Sequence, residues 1–166
     1  ICFADNFGPL GYTVYGHAVG LRDFGPCMAP MNAFLTLTGA ETLTLRMARH
    51  SENALALAQW LETRTGVTSV SYAGLLGNPS YQLAQKYLPD GASGGLTFCL
   101  DGGYEAGKAV VEGCKLFSHV ANIGDTRSLI IHPASTTHRQ LSNEDRTLAG
   151  AGDEVVRLSV GLEDLD

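Results

Sequence analysis

Between Leu43 and Leu61 an apolar side chain returns every fourth and then every third residue: Leu43, Met47, His50, Ala54, Leu57 and Leu61. That alternation is the signature of one face of an α-helix, and a stripe held over so many turns predicts a long one. A helix of this kind commits the rest of the chain to cover its apolar face. Gly66 ends it. At its start Thr38 reads as an N-cap with Glu41 three residues on, a capping box, and Thr38-Gly39 separates it from a shorter apolar helix, "MNAFLTLTG". His50, on the stripe, reads as a core histidine with its polar atoms satisfied.

Beyond Gly66 the elements are short and alternate in type. "VTSVSY" (67–72), "GGLTFCLD" (94–101), "SLIIH" (128–132) and "EVVRLSVG" (154–161) predict strands. Between them, "PSYQLAQKYL" (79–88) and "YEAGKAVVEGCKLF" (104–117) predict helices, the second weakened by two glycines. "SNEDRTLAG" predicts a capped helix with Ser142 as N-cap, Asp145 at the third helical position and Gly150 just past the end. Strands alternating with helices give an α/β (α+β) class, with the sheet covered by helices on one face and the long helix leading in.

A chain of 166 residues, 45% apolar and 17% charged, belongs with folded single domains and not with disordered segments. A net charge of −6 with eleven scattered basic residues argues against a nucleic-acid partner, which demands clustered Lys and Arg. No apolar run approaches the length of a membrane span, so a membrane role is not expected. Cys2, Cys27, Cys99 and Cys114 show no C-x-x-C pairing, which predicts no zinc site and suggests buried or half-buried thiols in a reducing cytoplasm. Residues 1–30 lack periodicity and read as a loop-rich stretch; loops of that length are uncommon inside compact domains.

Arg157 interrupts an apolar strand between Val156 and Leu158. A guanidinium there needs a partner, and its two-pronged donor array matches a carboxylate. It reads either as a clamp for a substrate carboxylate or as a strand arginine that meets solvent or a structural acid. His132 and His138 lack metal-ligand spacing, and His17 and His119 fall in predicted loops. Ser135, Thr136 and Thr137 either shape a polar pocket or cap the next turn. The segments "DGASGG" and "LDGGYEAGK" match no phosphate-binding pattern and read as turns. No G-x-S-x-G nucleophile is present. The residues alone thus point to a polar pocket near strand ends, with Arg157 as anion anchor and no catalytic base.

Three ordered segments carry a resemblance: "NAFLTLTGAETLTLRMARHSENALALAQWLE", "FSHVANIGDTRSLIIHPASTTHRQLS" and "VVRLSVGLEDL". Together they resemble the C-terminal region of the Cys/Met-metabolism enzymes that use pyridoxal phosphate, fold-type I transferases, and within them the O-acetylhomoserine sulfhydrylases. Cystathionine γ-synthases and γ-lyases share "RLSVGLED" and the "HPA…TH" element but match less well at "FSHVANIGD". The resemblance implies that Arg157 and the loop "ANIGD", through Asn122, bind the substrate α-carboxylate; relatives often carry Ser at the position of Asn122. It implies that "SLIIHPASTTH" walls the substrate pocket.

It also implies what this chain does not supply. The family's imine-forming lysine belongs to an N-terminal cofactor domain, and Lys86, Lys108 and Lys115, the only lysines, match no such motif. No catalytic residue is therefore expected here, nor any residue anchoring pyridoxal phosphate. Residues 1–30 would be a remnant linking to that cofactor domain, and 31–166 the C-terminal substrate-side domain, inactive alone. The implied parent reaction replaces the acetate of O-acetyl-L-homoserine by sulfide or a thiol, giving L-homocysteine or a thioether, with the pyridoxal ring as electron sink. A cytoplasmic homotetramer is the implied assembly. The competing expectations are a cystathionine γ-synthase or γ-lyase, and a non-catalytic domain for amino-acid binding or assembly.

Overall fold

The computed structural model describes residues 2–165, and the chain divides into two compact units, residues 1–42 and 43–166. In the first unit, α1 (Phe3–Phe7), a 3-10 turn (Gly8–Leu10), α2 (Gly11–Tyr15), a π turn (Gly16–Leu21) and α3 (Arg22–Phe24) precede α4 (Pro30–Glu41). The stretch 1–30, expected as loop, is therefore mostly helical where it is described. Its helices are too short to show a periodic stripe, and they bury almost nothing. The backbone turns at Gly8 and Gly25, both at positive φ, and α1 closes on α2 through an edge-to-face contact of Phe3 with Tyr15 at 5.2 Å. A Cβ on Gly11 would meet the Ala4 backbone at 2.9 Å, so that approach requires glycine.

Pro30 opens α4 at a first-turn position, where its missing N–H costs nothing. The helix then runs through Thr38-Gly39 and stops at Thr42. Thr38 is no cap: its Oγ1 donates to the Phe34 carbonyl at 2.9 Å, the back-bonding open to a threonine inside a helix. Cys2 and Cys27 are exposed, against expectation, because they lie outside the helices, just before α1 and in the connection from α3 to α4; Cys99 and Cys114 are half-buried, and all four thiols are free.

The second unit begins with α5 (Leu43–Glu62), followed by β1 (Val67–Ser71), α6 (Tyr81–Tyr87), β2 (Gly95–Leu100), α7 (Gly103–Gly113), β3 (Leu129–Ile131), a 3-10 turn (Pro133–Ser135), α8 (Asn143–Leu148) and β4 (Val155–Ser159). The strands form one antiparallel sheet in the order β1-β2-β4-β3. Register places Leu96 opposite Leu158 and Phe98 opposite Val156, with Ile130 beyond Leu158. These side chains share one face, and Ala54, Ala58 and Leu61 of α5 and Val111 of α7 pack with them in a single cluster. The stripe of α5 thus does what its spacing requires, except that Leu43 stays exposed. Each large aliphatic side chain buried there contributes roughly 1.5–3 kcal/mol.

The predicted helix 104–117 ends early, at Gly113, because Cys114 turns to an extended conformation. α8 is capped as its sequence suggests: the Ser142 hydroxyl accepts from the Asp145 amide at 3.1 Å, and Gly150 follows at φ +67°. Among the described residues no helix is long and apolar enough to cross a membrane.

Candidate carboxylate site on the second face of the sheet

Side chains alternate along a strand, so residues flanking the packed positions of β4 point the other way. Arg157 stands on this second face, opposite Thr97 of β2 and Ile131 of β3. Ser159, two residues on, shares the face and is buried. Because β4 lies between β2 and β3, the Arg157 main chain is held from both sides.

A loop from Ser118 to Ser128 reaches this face. The Ser118 amide donates to the Ser128 carbonyl at 2.9 Å and closes its base. Gly124 donates its amide to Ser159 Oγ at 3.0 Å. Nη2 of Arg157 donates to the Asn122 carbonyl at 3.4 Å, a long contact that leaves most of the guanidinium donors unused. Among the described residues no carboxylate pairs with Arg157. Asn122 turns its Oδ1 back to the Ile123 amide at 2.9 Å, so its side-chain NH2 remains to donate. The one acid in the loop, Asp125, is engaged locally: the amide and then the guanidinium of Arg127 hold its carboxyl below the usual aspartate range. The structure brings the two expected residues, Arg157 and Asn122, together, and what they assemble is a half-buried cation beside an exposed loop that carries an amide donor. Such a set suits a planar anion of carboxylate size.

The segment after β3 is different. His132 is fully buried, and each ring nitrogen has a partner: Nε2 donates to the Asp153 carbonyl at 2.9 Å and Nδ1 meets Ser135 Oγ at 2.9 Å. A carbonyl can only accept, so Nε2 carries a proton. Thr136 Oγ1 donates to the His132 carbonyl at 2.7 Å, and Tyr104 meets the ring edge-on at 5.0 Å. Most of the Ser/Thr row is therefore spent inside the chain. It borders a cavity of about 300 Å³ with Tyr104, Lys108, His119 and His132, and Arg157 is not among the residues lining it.

The other histidines hold no ligand set. Among the described residues no group of His, Cys, Asp and Glu is arranged to bind a metal. His17 lies in the π turn and not in a loop, while His119 is exposed between elements. His50 is buried as expected, with Nδ1 on the Val160 carbonyl at 2.6 Å, but Nε2 has no partner, so it is only half satisfied. The lysines do not fit an imine-forming role, which calls for a shielded amine. Lys86, Lys108 and Lys115 are exposed; Lys86 lies over the Tyr87 ring and Lys108 pairs with Glu112 at 3.9 Å.

Three residues that hold this loop and strand give little sign of it in the sequence: Ser159, which accepts the Gly124 amide, and Ser128 and Glu163, which bond to each other. Ser159 carried a usable signal, since a polar residue two after Arg157 on a strand must share its face. The other two depend on a fold-back of the chain end that periodicity does not encode.

Residues 12–166 match the model of the family described as Cys/Met metabolism PLP-dependent enzyme. The O-acetyl-L-homoserine sulfhydrylase 1 of Thermus thermophilus is 51% identical over 98% of this chain and 38% of that protein. The O-succinylhomoserine sulfhydrylase of Pseudomonas aeruginosa is 46% identical over 88% of this chain and 36% of that protein. A crystal structure from Campylobacter jejuni, of a protein assigned as an O-acetylhomoserine (thiol)-lyase and carrying a pyridoxyl-lysine monophosphate, superposes with a TM-score of 0.83. It is 41% identical and covers 94% of this chain and 37% of that one. The chain thus spans less than two fifths of the length of these relatives.

Proposed function

Since the chain belongs to the Cys/Met-metabolism family of pyridoxal-phosphate-dependent enzymes, we propose that it is the substrate-carboxylate side of a γ-replacement enzyme. The reaction takes O-acetyl-L-homoserine and sulfide or a thiol to L-homocysteine or a thioether, with release of acetate. Arg157 binds the α-carboxylate through two parallel N–H donors, and the Asn122 side-chain amide donates to the same group. Fixing the carboxylate fixes the amino acid's orientation, and with it the direction of the bonds to be broken; that contribution is entropic and positional. Among the described residues no lysine is shielded as an imine-forming amine requires.

The observation supporting this reading is the unspent guanidinium. A half-buried arginine on a buried strand, beside an exposed loop, with one 3.4 Å contact to a carbonyl and no acid partner among the described residues, is arranged for an anion that arrives from outside. In the full-length protein, Arg157→Ala should raise the KM for the acyl-homoserine roughly 100-fold, as expected for removing one member of a desolvated charge pair. Arg157→Lys, which keeps charge but not the planar fork, should fall between. Steady-state kinetics with sulfide as second substrate measures both, and an unchanged KM in Arg157→Ala removes the assignment.

A second reading concerns the leaving group. The similarity to an O-succinylhomoserine sulfhydrylase favours testing the succinyl ester beside the acetyl ester, and the better substrate fixes the acyl specificity. Sulfide against cysteine as second substrate separates a sulfhydrylase from the cystathionine enzymes. In this reading residues 31–166 form the substrate-side domain and the assembly is a cytoplasmic homotetramer. The exposed Met31, Phe34, Leu35 and Leu37 of α4 offer apolar surface for association.

A further inference from the structure

The chain folds back on itself after β4, and the fold-back ends on the loop that carries Asn122. Glu163 Oε1 accepts the Ser128 amide at 2.6 Å and Oε2 accepts the Ser128 hydroxyl at 2.8 Å. That hydroxyl oxygen in turn accepts the Gly161 amide at 2.8 Å, and the Leu162 amide donates to the Thr126 carbonyl at 2.9 Å. Gly161 is obligatory here: an added Cβ would meet the Ser128 nitrogen and the Arg127 carbonyl carbon at 2.5 Å. From the other side, Asn53 of α5 donates to the carbonyls of Gly161 at 3.0 Å and Glu163 at 2.8 Å. Glu163 is thus anchored to the long helix and grips the C-terminal base of the 118–128 loop with both carboxylate oxygens.

We infer that Glu163 is a positioning residue for the carboxylate site, holding Ser128 so that the loop presents Asn122 to the ligand while β4 presents Arg157. Two charge-assisted bonds to one residue fix both the place and the rotation of the loop base. Without them the loop keeps its ties at Gly124, Thr126 and the Ser118–Ser128 closure and loses the two carboxylate bonds that fix Ser128. The inference rests on the reading of Arg157 and Asn122 as the carboxylate clamp. It assigns Glu163 no contact with substrate.

The test uses the full-length protein with its cofactor and two competitive ligands that differ by one group: L-homoserine, and 3-amino-1-propanol, which is the same molecule without its carboxylate. Glu163→Gln keeps the size and removes the charge. It should weaken L-homoserine roughly tenfold, the equivalent of one charge-assisted hydrogen bond, and leave 3-amino-1-propanol unmoved. Added to Asn122→Ala, it should weaken L-homoserine no further, because the two act through one contact. Equal weakening of both ligands, or simple additivity in the double variant, would mean that Glu163 serves stability alone and overturns the inference. A ligand ratio that Arg157→Ala moves and Glu163→Gln does not also overturns it while leaving the clamp standing. A ratio unmoved by Arg157→Ala overturns the clamp itself, and the inference with it. If Glu163→Gln fails to fold, Ser128→Ala removes the hydroxyl half of the grip and must shift the ratio in the same direction, by roughly threefold because the amide bond to Glu163 remains; no shift counts against the inference.

Discussion

Two segments flank the three-residue strand β3, and they use polar side chains in opposite ways. After the strand, His132, Ser135 and Thr136 bond to one another and to the Asp153 carbonyl, and His132 has no exposed surface. Before it, the loop to Ser128 leaves Asn122 exposed and makes a single long contact to Arg157. The first segment has its hydrogen bonds filled and reads as structure; the second has donors left over and reads as a place for a ligand. Counting hydrophilic residues would rank them the other way, since the Ser/Thr row is the more conspicuous. What separates the two is how many donors and acceptors the fold has already used.

The filled segment is most vulnerable at His132. His132→Ala empties a buried site and leaves the Asp153 carbonyl without its donor, so it should lower stability by about 3 kcal/mol, from the cavity and the orphaned acceptor together. It should leave the ratio of L-homoserine to 3-amino-1-propanol affinity where it was. Denaturant unfolding and the two inhibition constants check both halves; a changed ratio would make the filled segment part of the ligand site. A smaller loss, about 2 kcal/mol, is expected of Gly161→Ala, because the 127–128 backbone must retreat from the new Cβ. Here stability and ligand ratio should move together, which distinguishes the loop side from the His132 side.

The smallest effect is a pH dependence. Burial opposes ionisation of Glu163, but the amide and hydroxyl of Ser128 outweigh it and hold its carboxyl below the usual range. A carboxyl depressed in the folded state stabilises at pH above its unfolded value, about 4.5, and that stabilisation is lost as pH falls through the lower folded value. Tm should therefore drop on acidification below about pH 4.5. Glu163→Gln should have a flatter profile in that window, and the same slope in both proteins would show that the grip on Ser128 carries no stability.

Much of the second unit was legible in the sequence. Its four strands, α6, the capped α8 and the stripe of α5 are all local patterns of period two or near 3.6, and tertiary packing reinforced them. The first unit was not: α1 to α3 are so short that no period can build up, and Thr38 satisfied its hydroxyl inside α4 where a cap was expected. Arg157 was visible as a charged residue on an apolar strand, and Asn122 through family resemblance. Ser128 and Glu163 were invisible because they are 35 residues apart, and only the fold-back after β4 brings them together.

The position of β4 sets a timescale for the site. Main-chain amides of a strand paired on both sides exchange only when the ladder that holds them opens, a slow and costly event, whereas the tip of a loop tied at its base moves in nanoseconds to microseconds. Arg157 rides on the first kind of element and Asn122 on the second. For the proposed carboxylate ligand, the cation is then stationary on arrival, and the amide completes the contact from a loop tip whose base is fixed.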